Sequence, residues 1–199
     1  MKSRYLSERE ITAIFAKLPY DRRLVFEASI QSGLRIGDVL KIRSRDLRRV
    51  SDKEVCISYV AEKTKKRGTV SVYGNVAANL ISLSKSRKGF LWPSYGKTGH
   101  ITRQSAWLWL KEAAKAAGVD VQGVSPHSLR KCFAVRIRHE QGMIAAQKAL
   151  QHKDSATTAI YAYADVYAGA DPDAPVLWCQ IEELLDLIEE RLQQKNTSV

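Results

Sequence analysis

The sequence predicts a mainly α-helical fold with a small antiparallel β-sheet or hairpin. Apolar residues recur at helical spacing along most of the chain. Alternation with a period of two marks residues 55–59 and 70–72 as two short strands. The 199 residues contain no internal repeat and no low-complexity linker, so we expect residues 1–199 to form a single domain.

Two helices are predicted in the N-terminal part. Ser7 and Glu10 form a capping-box pattern at the start of a helix that ends near Leu18. Asp21 is expected to cap a second helix, whose apolar residues cover much of its circumference, so this helix should be well buried. The second helix is predicted to end at Gly33, because glycine readily takes the left-handed conformation of a helix end.

A basic run over residues 41–53 precedes the predicted hairpin, whose strands flank residues 62–67. The tip of the hairpin carries four cationic side chains: Lys63, Lys65, Lys66 and Arg67. Like charges so close together repel one another, so this arrangement is most favourable beside an anion.

Most of the remaining chain is predicted to be helical, apart from a loop at residues 93–99 and a connector at residues 167–175. Five helices are expected over residues 75–86, 101–117, 125–139, 143–152 and 156–164. The tryptophans are interpreted as core residues rather than as platforms for stacked bases. A last amphipathic helix is predicted at residues 176–195, and its apolar stripe is expected to pack on its own domain or to dock in trans on a neighbouring copy.

Composition points to a polyanionic partner. The chain has 32 Lys and Arg against 21 Asp and Glu, a formal net charge of +11, and these cations are spread along the whole sequence. Nucleic acid is therefore the first partner to consider, with a generally basic protein as the alternative. An apolar content of 45% excludes a disordered chain.

Several other classes of protein are not indicated. The three cysteines are odd in number and widely spaced, which suggests neither a disulfide framework nor a zinc site, and we expect buried thiols in a reducing cytosol. No signal peptide and no apolar stretch of about 18 residues is present, so no membrane partner is expected. No carboxylate cluster offers a magnesium site, and no cofactor is expected.

The candidate catalytic residues are concentrated between residues 125 and 161. This stretch contains four groups suited to phosphodiester chemistry: His127, Arg130, His152 and Tyr161. Arg35, just beyond the predicted helix end at Gly33, is a second arginine that could direct its planar fork towards phosphate oxygens. Together these are the groups needed to attack a phosphodiester without a metal.

Spacing supports a shared role for two of these groups. His127 lies three residues before Arg130, so both should project from one side of a helix towards the same phosphate. Tyr161 is the candidate nucleophile, but a phenol with a pKa of about 10 reacts poorly until a neighbour takes its proton. Tyr163 and Tyr167 are competing candidates, although Tyr163 would lie about 200° round a helix from Tyr161.

These motifs, taken in order, resemble the catalytic domain of the tyrosine recombinases, the phage integrase family. Arg35 matches the family arginine in a Gly-Leu-Arg-x-x-Asp/Glu segment, and Arg130 matches the one in His-x-Leu-Arg. The resemblance implies that His127 acts as general base or binds phosphate. It also implies that Tyr161, nine residues after His152, is the nucleophile.

Two further roles follow from the resemblance, and two positions depart from the family pattern. Lys63 matches the hairpin lysine that protonates the 5′ oxygen, and His152 matches a hydrogen-bond donor to the phosphate. Gln151 replaces the glycine expected before that histidine. Asp38 replaces the more usual glutamate, and we expect it to orient Arg35 or to cap a helix.

The resemblance implies a site-specific DNA recombinase of the integrase or invertase type. Such an enzyme cleaves DNA through a 3′-phosphotyrosyl link, releases a free 5′ hydroxyl and exchanges strands. The alternatives are relaxation of DNA in the manner of a type IB topoisomerase, or a catalytically silent DNA-binding regulator with the same fold.

The expected partners are double-stranded DNA with inverted-repeat sites and further copies of the chain in a tetramer, and the resemblance allows for an accessory DNA-bending protein. We expect a cytoplasmic, nucleoid-associated location. Six residues precede the first predicted helix, so the family's N-terminal core-binding domain is expected to be missing. The chain would then be a minimal recombinase, similar to fimbrial inversion switches, or an isolated catalytic fragment.

Overall fold

The computed structural model describes residues 3–150 and 155–164. Within these residues the predicted class is confirmed, since helices surround one small antiparallel sheet. The helices are α1 (Glu8–Ala16), α2 (Tyr20–Ser32), α3 (Ile36–Val39), α4 (Gly74–Ser86), α5 (Arg103–Ala116), α6 (Pro126–Gln141), α7 (Met143–Leu150) and α8 (Ser155–Ala162). The strands are β1 (Leu47–Ser51), β2 (Glu54–Val60) and β3 (Arg67–Tyr73), with a 3₁₀ turn at Ser44–Asp46 before β1.

The sheet has three antiparallel strands in the order β1-β2-β3, where two were predicted. Strand β2 is central, so that Cys56 pairs with Arg48 on one side and with Ser71 on the other. The additional strand β1 lies inside the basic run. Its residues after Leu47 are exposed, so no alternation of apolar and polar residues marks it. Arginines on an edge strand also discourage pairing with another chain.

The observed helix ends agree with the prediction at Ser7 and Gly33 and differ from it at Asp21. The capping box of α1 is confirmed, with the Glu10 carboxylate accepting from the Ser7 amide at 2.9 Å. Gly33 ends α2 with φ +67°. The cap expected at Asp21 was wrong, because α2 begins at Tyr20 after Pro19. The Asp21 carboxylate instead accepts from Arg87 Nη2 at 2.7 Å.

Two apolar clusters hold the elements together. The larger one joins α2 to the sheet and includes Phe26 and Ile57, both fully buried. The smaller one joins α6, α7 and α8 through Phe133, Leu150 and Ala162. Packing within the smaller cluster places α8 against α6, so the fold brings the sequence around residue 161 to the helix that carries the His127 and Arg130 pair.

The predicted core role of the tryptophans is confirmed for Trp92, which is 3% exposed, and is wrong for Trp107, which is 37% exposed. The Cys132 thiol is buried, and burial raises its pKa to about 12, whereas Cys56 is half-buried. No helix in the described part of the chain is long and apolar enough to cross a membrane. The helix predicted at 176–195 and the candidate tyrosine Tyr167 lie outside the described residues.

Candidate active site

Helix α6 presents two of the predicted residues at its first turn. Ser125 caps the helix and exchanges hydrogen bonds with Ser128, and Pro126 occupies the first turn, where its missing N–H costs nothing. His127 and Arg130, three residues apart, therefore project from the same side of α6. His127 is exposed, whereas Arg130 is 4% exposed.

The guanidinium of Arg130 connects three parts of the fold. Its Nη1 donates to the carbonyl of Gly33, at the end of α2, and its Nη2 donates to the carbonyl of Leu150, at the end of α7, at 2.6 Å. A guanidinium carries five N–H donors, so the same group can also bind a phosphate. Arg130 is thus positioned by two hydrogen bonds to the backbone.

The positive charge of Arg35 acts on this buried guanidinium. Burial and the positive charge of Arg35 together lower the pKa of Arg130 to about 10, while Tyr161 and Asp38 act in the opposite direction. Arg130 remains charged at neutral pH. Two neighbouring cations are unfavourable without an anion, and a phosphate between them would relieve this repulsion.

The turn between α2 and α3 positions Arg35. Gly33 is left-handed, Ser29 Oγ donates to the carbonyl of Leu34 at 3.1 Å, and Arg35 then adopts extended backbone at the N-cap of α3. The Arg35 side chain is half-exposed. The sequence predicted that Arg35 lies just beyond the end of a helix, and the structure confirms this position.

Gly33 leaves no room for a side chain. A Cβ at this position would lie 2.3 Å from Cε1 of Phe133. We therefore expect Gly33→Ala to lower the free energy of unfolding by about 2 to 5 kcal/mol, from left-handed strain and overpacking together. Urea unfolding measures this change. Gly74→Ala is the matched control, because Gly74 has φ +63° but nothing within 4 Å of its Cβ position. Equal losses in both variants would show that the Phe133 ring moves aside without cost.

Asp38 tethers the turn after β2 to this site. It is 4% exposed, and its Oδ1 accepts from the backbone amide of Glu62 at 2.8 Å. The two roles expected for Asp38 concerned Arg35 or a helix end, and the bond to Glu62 is a third role. It fixes the start of the hairpin turn relative to α3.

Tyr161 reaches the site from α8. Its phenolic oxygen lies 3.2 Å from Nδ1 of His127, and its side chain is half-exposed. Tyr163, a competing candidate, is 2% exposed. Of these two tyrosines, the structure thus brings Tyr161 to the predicted histidine and encloses Tyr163 in protein.

The environment of His127 favours the neutral imidazole. Although His127 is partly open to solvent, burial of the rest of its side chain and the positive charges of Arg130 and Arg35 lower its pKa below the ordinary value of 6.5. A neutral ring that carries its proton on Nε2 can accept the Tyr161 hydroxyl proton at Nδ1. This arrangement is suited to a general base.

The lowered pKa of His127 makes stability depend on pH. As the pH falls through about 6.5, His127 takes up a proton in the unfolded chain before it does so in the folded chain, so its contribution to the free energy of unfolding is complete above that pH. That contribution is lost as the pH falls through the lower folded-state pKa. NMR titration should give a midpoint for His127 below 6.5. Arg35→Gln should raise the midpoint, because it removes one cation. A midpoint at or above 6.5 in the unmodified chain would contradict this account.

Lys63 lies in the turn between β2 and β3 and is exposed. That turn closes with Ala61 N–H donating to the carbonyl of Lys66 at 2.9 Å, and Lys65 is left-handed at φ 58°. No hydrogen bond or ion pair joins Lys63 to His127, Arg130 or Tyr161. No contact in the described part of the chain therefore joins Lys63 to the cluster. His152 and its neighbour Gln151 lie outside the described residues.

Two residues near the site were not singled out from the sequence. Arg103, at the start of α5, contributes to the lowered pKa of His127, and Gly37 leaves the space that its side chain occupies. Tyr59 of β2 lies near Asp38, Arg130 and Arg35, and burial is the main cause of its raised pKa. Nothing in the local pattern around Arg103 marks it, because its proximity depends on how α5 packs against α3.

The described residues contain no group of three or more His, Cys, Asp or Glu side chains that could hold a metal ion. What they do bring together is a phenol, an imidazole and two guanidinium groups. Such a set can supply a nucleophile, a base and neutralisation of phosphate charge.

Comparison with known proteins shows the family and the fold. The model described as the phage integrase family matches residues 4–167, and the chain belongs to this family. Tyrosine recombinase XerD of Neisseria meningitidis serogroup B is 31% identical over 175 residues, which cover 79% of this chain and 57% of that protein. XerD of Bradyrhizobium diazoefficiens is 43% identical over 75 residues, which cover 37% of this chain and 24% of that protein. The chain thus spans about a quarter to just over half of the length of these relatives.

Solved structures show the same fold. The XerH site-specific recombinase bound to palindromic difH substrate superimposes with a TM-score of 0.67 at 16% identity, over 85% of this chain and 53% of that one. The catalytic domain of bacteriophage HP1 integrase gives a TM-score of 0.59 at 19% identity, over 88% of this chain and 97% of that one. The fold is that of a tyrosine recombinase catalytic domain.

Proposed function

We propose that the chain is the catalytic part of a site-specific DNA recombinase of the integrase or invertase type. The observation that carries this proposal is the 3.2 Å approach of the Tyr161 phenol to Nδ1 of His127, beside the guanidinium of Arg130. In a member of the phage integrase family, this geometry fits a nucleophile (Tyr161), its general base (His127) and a cation that binds the phosphate (Arg130).

In the proposed reaction, the Tyr161 oxygen attacks the scissile phosphorus while its proton passes to Nδ1 of His127. The bond from phosphorus to the 5′ oxygen breaks, and the products are a 3′-phosphotyrosyl link and a free 5′ hydroxyl. Arg35 and Arg130 neutralise the non-bridging oxygens as the phosphorane forms. Attack of a 5′ hydroxyl from a second duplex on the link reverses these steps and completes strand exchange.

Two further roles belong to the proposal. Lys63 would give its proton to the departing 5′ oxygen, and its place in the exposed turn next to Glu62 lets it approach bound DNA. His152 would donate a hydrogen bond to the phosphate. In the sequence it follows Leu150, whose carbonyl accepts from Arg130, by two residues.

A basic groove beside the site supports duplex DNA as the substrate. It runs between the 3₁₀ turn and strands β2 and β3, and its lining includes four cations: Lys41, Arg43, Arg45 and Arg67. Asp38 and Asp46 also line it. Lys41 pairs with Glu62 at 3.3 Å, and the Arg43 guanidinium lies 4.4 Å from the centre of the Phe90 ring. Arg45 and Arg67 are exposed and suited to contact phosphates.

The dependence of DNA affinity on salt tests this groove. Each neutralised phosphate contributes about −0.9 to the slope of log K against log salt concentration. If Arg45 and Arg67 each contact one phosphate, the double variant Arg45→Gln with Arg67→Gln should have a slope shallower by about 1.8. Fluorescence anisotropy with a labelled duplex at several salt concentrations measures this.

Lys115→Gln is the matched control for that experiment. It removes one positive charge about 18 Å along α5 from Arg103, and should leave the slope unchanged. An unaltered slope in the double variant would place the DNA backbone outside the groove. A slope near zero in the unmodified chain would contradict DNA binding itself.

Assembly forms a further part of the proposal. We infer that the chain acts on inverted-repeat sites as a tetramer on DNA, in a cytoplasmic, nucleoid-associated setting and with room for an accessory DNA-bending protein. We further infer one domain over residues 1–199, with an amphipathic helix at 176–195 that packs on its own domain or docks in trans. The apolar stripe of that segment, with Leu177, Ile181 and Leu184, needs one of these two partner surfaces. Sedimentation of the chain with a duplex that carries two sites should give a species with four protein copies. A species with only one protein copy on that duplex would contradict the proposed tetramer.

The test of the proposed activity is covalent trapping on nicked duplexes taken from the DNA that flanks the gene. A protein–DNA adduct that survives denaturant supports tyrosine transfer, whereas binding without an adduct would favour a silent regulator. Relaxation of a supercoiled plasmid that lacks these flanking sequences would instead indicate an activity like that of a type IB topoisomerase.

A further inference from the structure

Helix α8 leads into a second tyrosine that does not face the site. Tyr163, two residues after Tyr161, is 2% exposed, and the guanidinium carbon of Arg138 lies 4.4 Å from the centre of its ring. Arg138 is itself 8% exposed. A cation over an aromatic ring is attracted more strongly where both are withdrawn from water. This contact is therefore a firm attachment between α6 and the end of α8.

Arg138 stands on the same side of α6 as His127. The two residues are 11 positions apart, which corresponds to about 20° of rotation and roughly 16 Å along the helix. Arg138 Nη2 also lies 2.7 Å from Nε2 of the adjacent His139. Helix α6 thus meets the tyrosines at two well-separated points, Tyr161 at His127 and Tyr163 at Arg138.

The two tyrosines leave α8 in opposite directions. The amide of Tyr163 donates to the carbonyl of Ala159 at 3.0 Å, so helical geometry continues to this residue. Residues two apart on a helix are about 200° apart around its axis. Any rotation of α8 must therefore move both rings, and a ring held at Arg138 fixes the angle at which the other ring meets His127.

We propose that Arg138 and Tyr163 are positioning residues, and that their contact sets the rotation of α8 and hence the approach of the Tyr161 oxygen to His127. The proposal rests on the proposed function for its effect on cleavage. It requires the ring of Tyr163 and the positive charge of Arg138. Neither side chain needs to touch DNA.

The first test compares cleavage rates at saturating DNA, on the nicked duplex that gives an adduct with the unmodified chain. Arg138→Met and Tyr163→Leu should each slow adduct formation about 10- to 100-fold, since small misplacements of a reacting group have effects of this size. DNA affinity should change less than about twofold, because neither residue is placed at the DNA. Tyr163→Phe keeps the ring and should cleave at the unmodified rate. Arg138→Lys keeps the charge and should fall between the unmodified rate and that of Arg138→Met.

The double variant distinguishes this positioning role from a general loss of stability. If the contact is the cause, combining Arg138→Met with Tyr163→Leu should slow cleavage no more than either change alone. Multiplied rate losses would overturn the proposal, as would unmodified rates in both single variants. A loss in Tyr163→Phe as large as that in Tyr163→Leu would also overturn it, because the hydroxyl rather than the ring would then matter.

A second readout does not depend on activity. With 3-fluorotyrosine introduced at position 161 of the full chain, the fluorine spectrum should show one narrow resonance, which Tyr163→Phe preserves. Arg138→Met and Tyr163→Leu should shift or broaden it. An unchanged resonance in both would refute the positioning role even in a folded, active protein. If no DNA yields an adduct with the unmodified chain, the proposed function fails, and the fluorine spectrum still decides the question of Arg138 and Tyr163.

Discussion

Tyr161→Phe is expected to abolish the covalent protein–DNA adduct, with cleavage reduced by at least about 1,000-fold, while DNA affinity stays within about twofold. The change removes one oxygen, and that oxygen is the atom that lies 3.2 Å from Nδ1 of His127. Because the ring stays and the side chain is half-exposed, the fold should be retained. Trapping on a nicked duplex, followed by denaturing electrophoresis, measures the loss.

Tyr163→Phe is the matched control, since it removes the same atom two residues away. Tyr163 is 2% exposed beneath Arg138 and is directed away from the site, so the adduct should form as in the unmodified chain. An adduct that persists in Tyr161→Phe but disappears in Tyr163→Phe would reverse the assignment of the nucleophile. It would also require α8 to rotate by about half a turn when DNA binds.

Arg130→Ala should cost both stability and activity. It leaves the carbonyls of Gly33 and Leu150 without the donors that now satisfy them in a buried setting. Each unsatisfied buried carbonyl costs about 1 to 3 kcal/mol, so the loss of both donors should lower the free energy of unfolding by about 2 to 6 kcal/mol. Cleavage should fall at least about 1,000-fold, because one of the two guanidinium groups proposed to bind the phosphate is lost. Urea unfolding and adduct trapping measure the two effects separately.

Two other arginines separate the structural from the chemical part of this effect. Arg136 is on the same helix and donates to the carbonyl of Gln31 at 3.3 Å, but it is exposed, so Arg136→Ala should cost less than about 1 kcal/mol and leave cleavage intact. Arg35→Ala should abolish cleavage with little change in stability, since it also removes a cation from beside Arg130. If Arg130→Ala unfolded at the same urea concentration as the unmodified chain, the two carbonyl bonds would contribute nothing.

Local patterns were enough to predict most of the helices, and the exceptions have physical causes. The capping box at Ser7 and the glycine end of α2 depend on residues close in sequence, so they could be recognised directly. The cap at Asp21 was mispredicted because a longer-range partner, Arg87, uses that carboxylate. Strand β1 was missed because an exposed edge strand needs no apolar face.

For the candidate site too, some features follow from the sequence and others depend on the tertiary structure. The sequence alone determined the types and spacing of the reactive groups, including the three-residue step from His127 to Arg130, which a helix converts into a shared side. The resemblance favoured Tyr161 as the nucleophile, but only the tertiary structure shows the contacts themselves, with Tyr161 at His127 and Tyr163 at Arg138. The tertiary structure also decided that Arg130 connects Gly33 to Leu150, across 97 and 20 residues of sequence. Periodicity records the geometry within one element, whereas burial and contact between distant elements exist only once those elements have packed together.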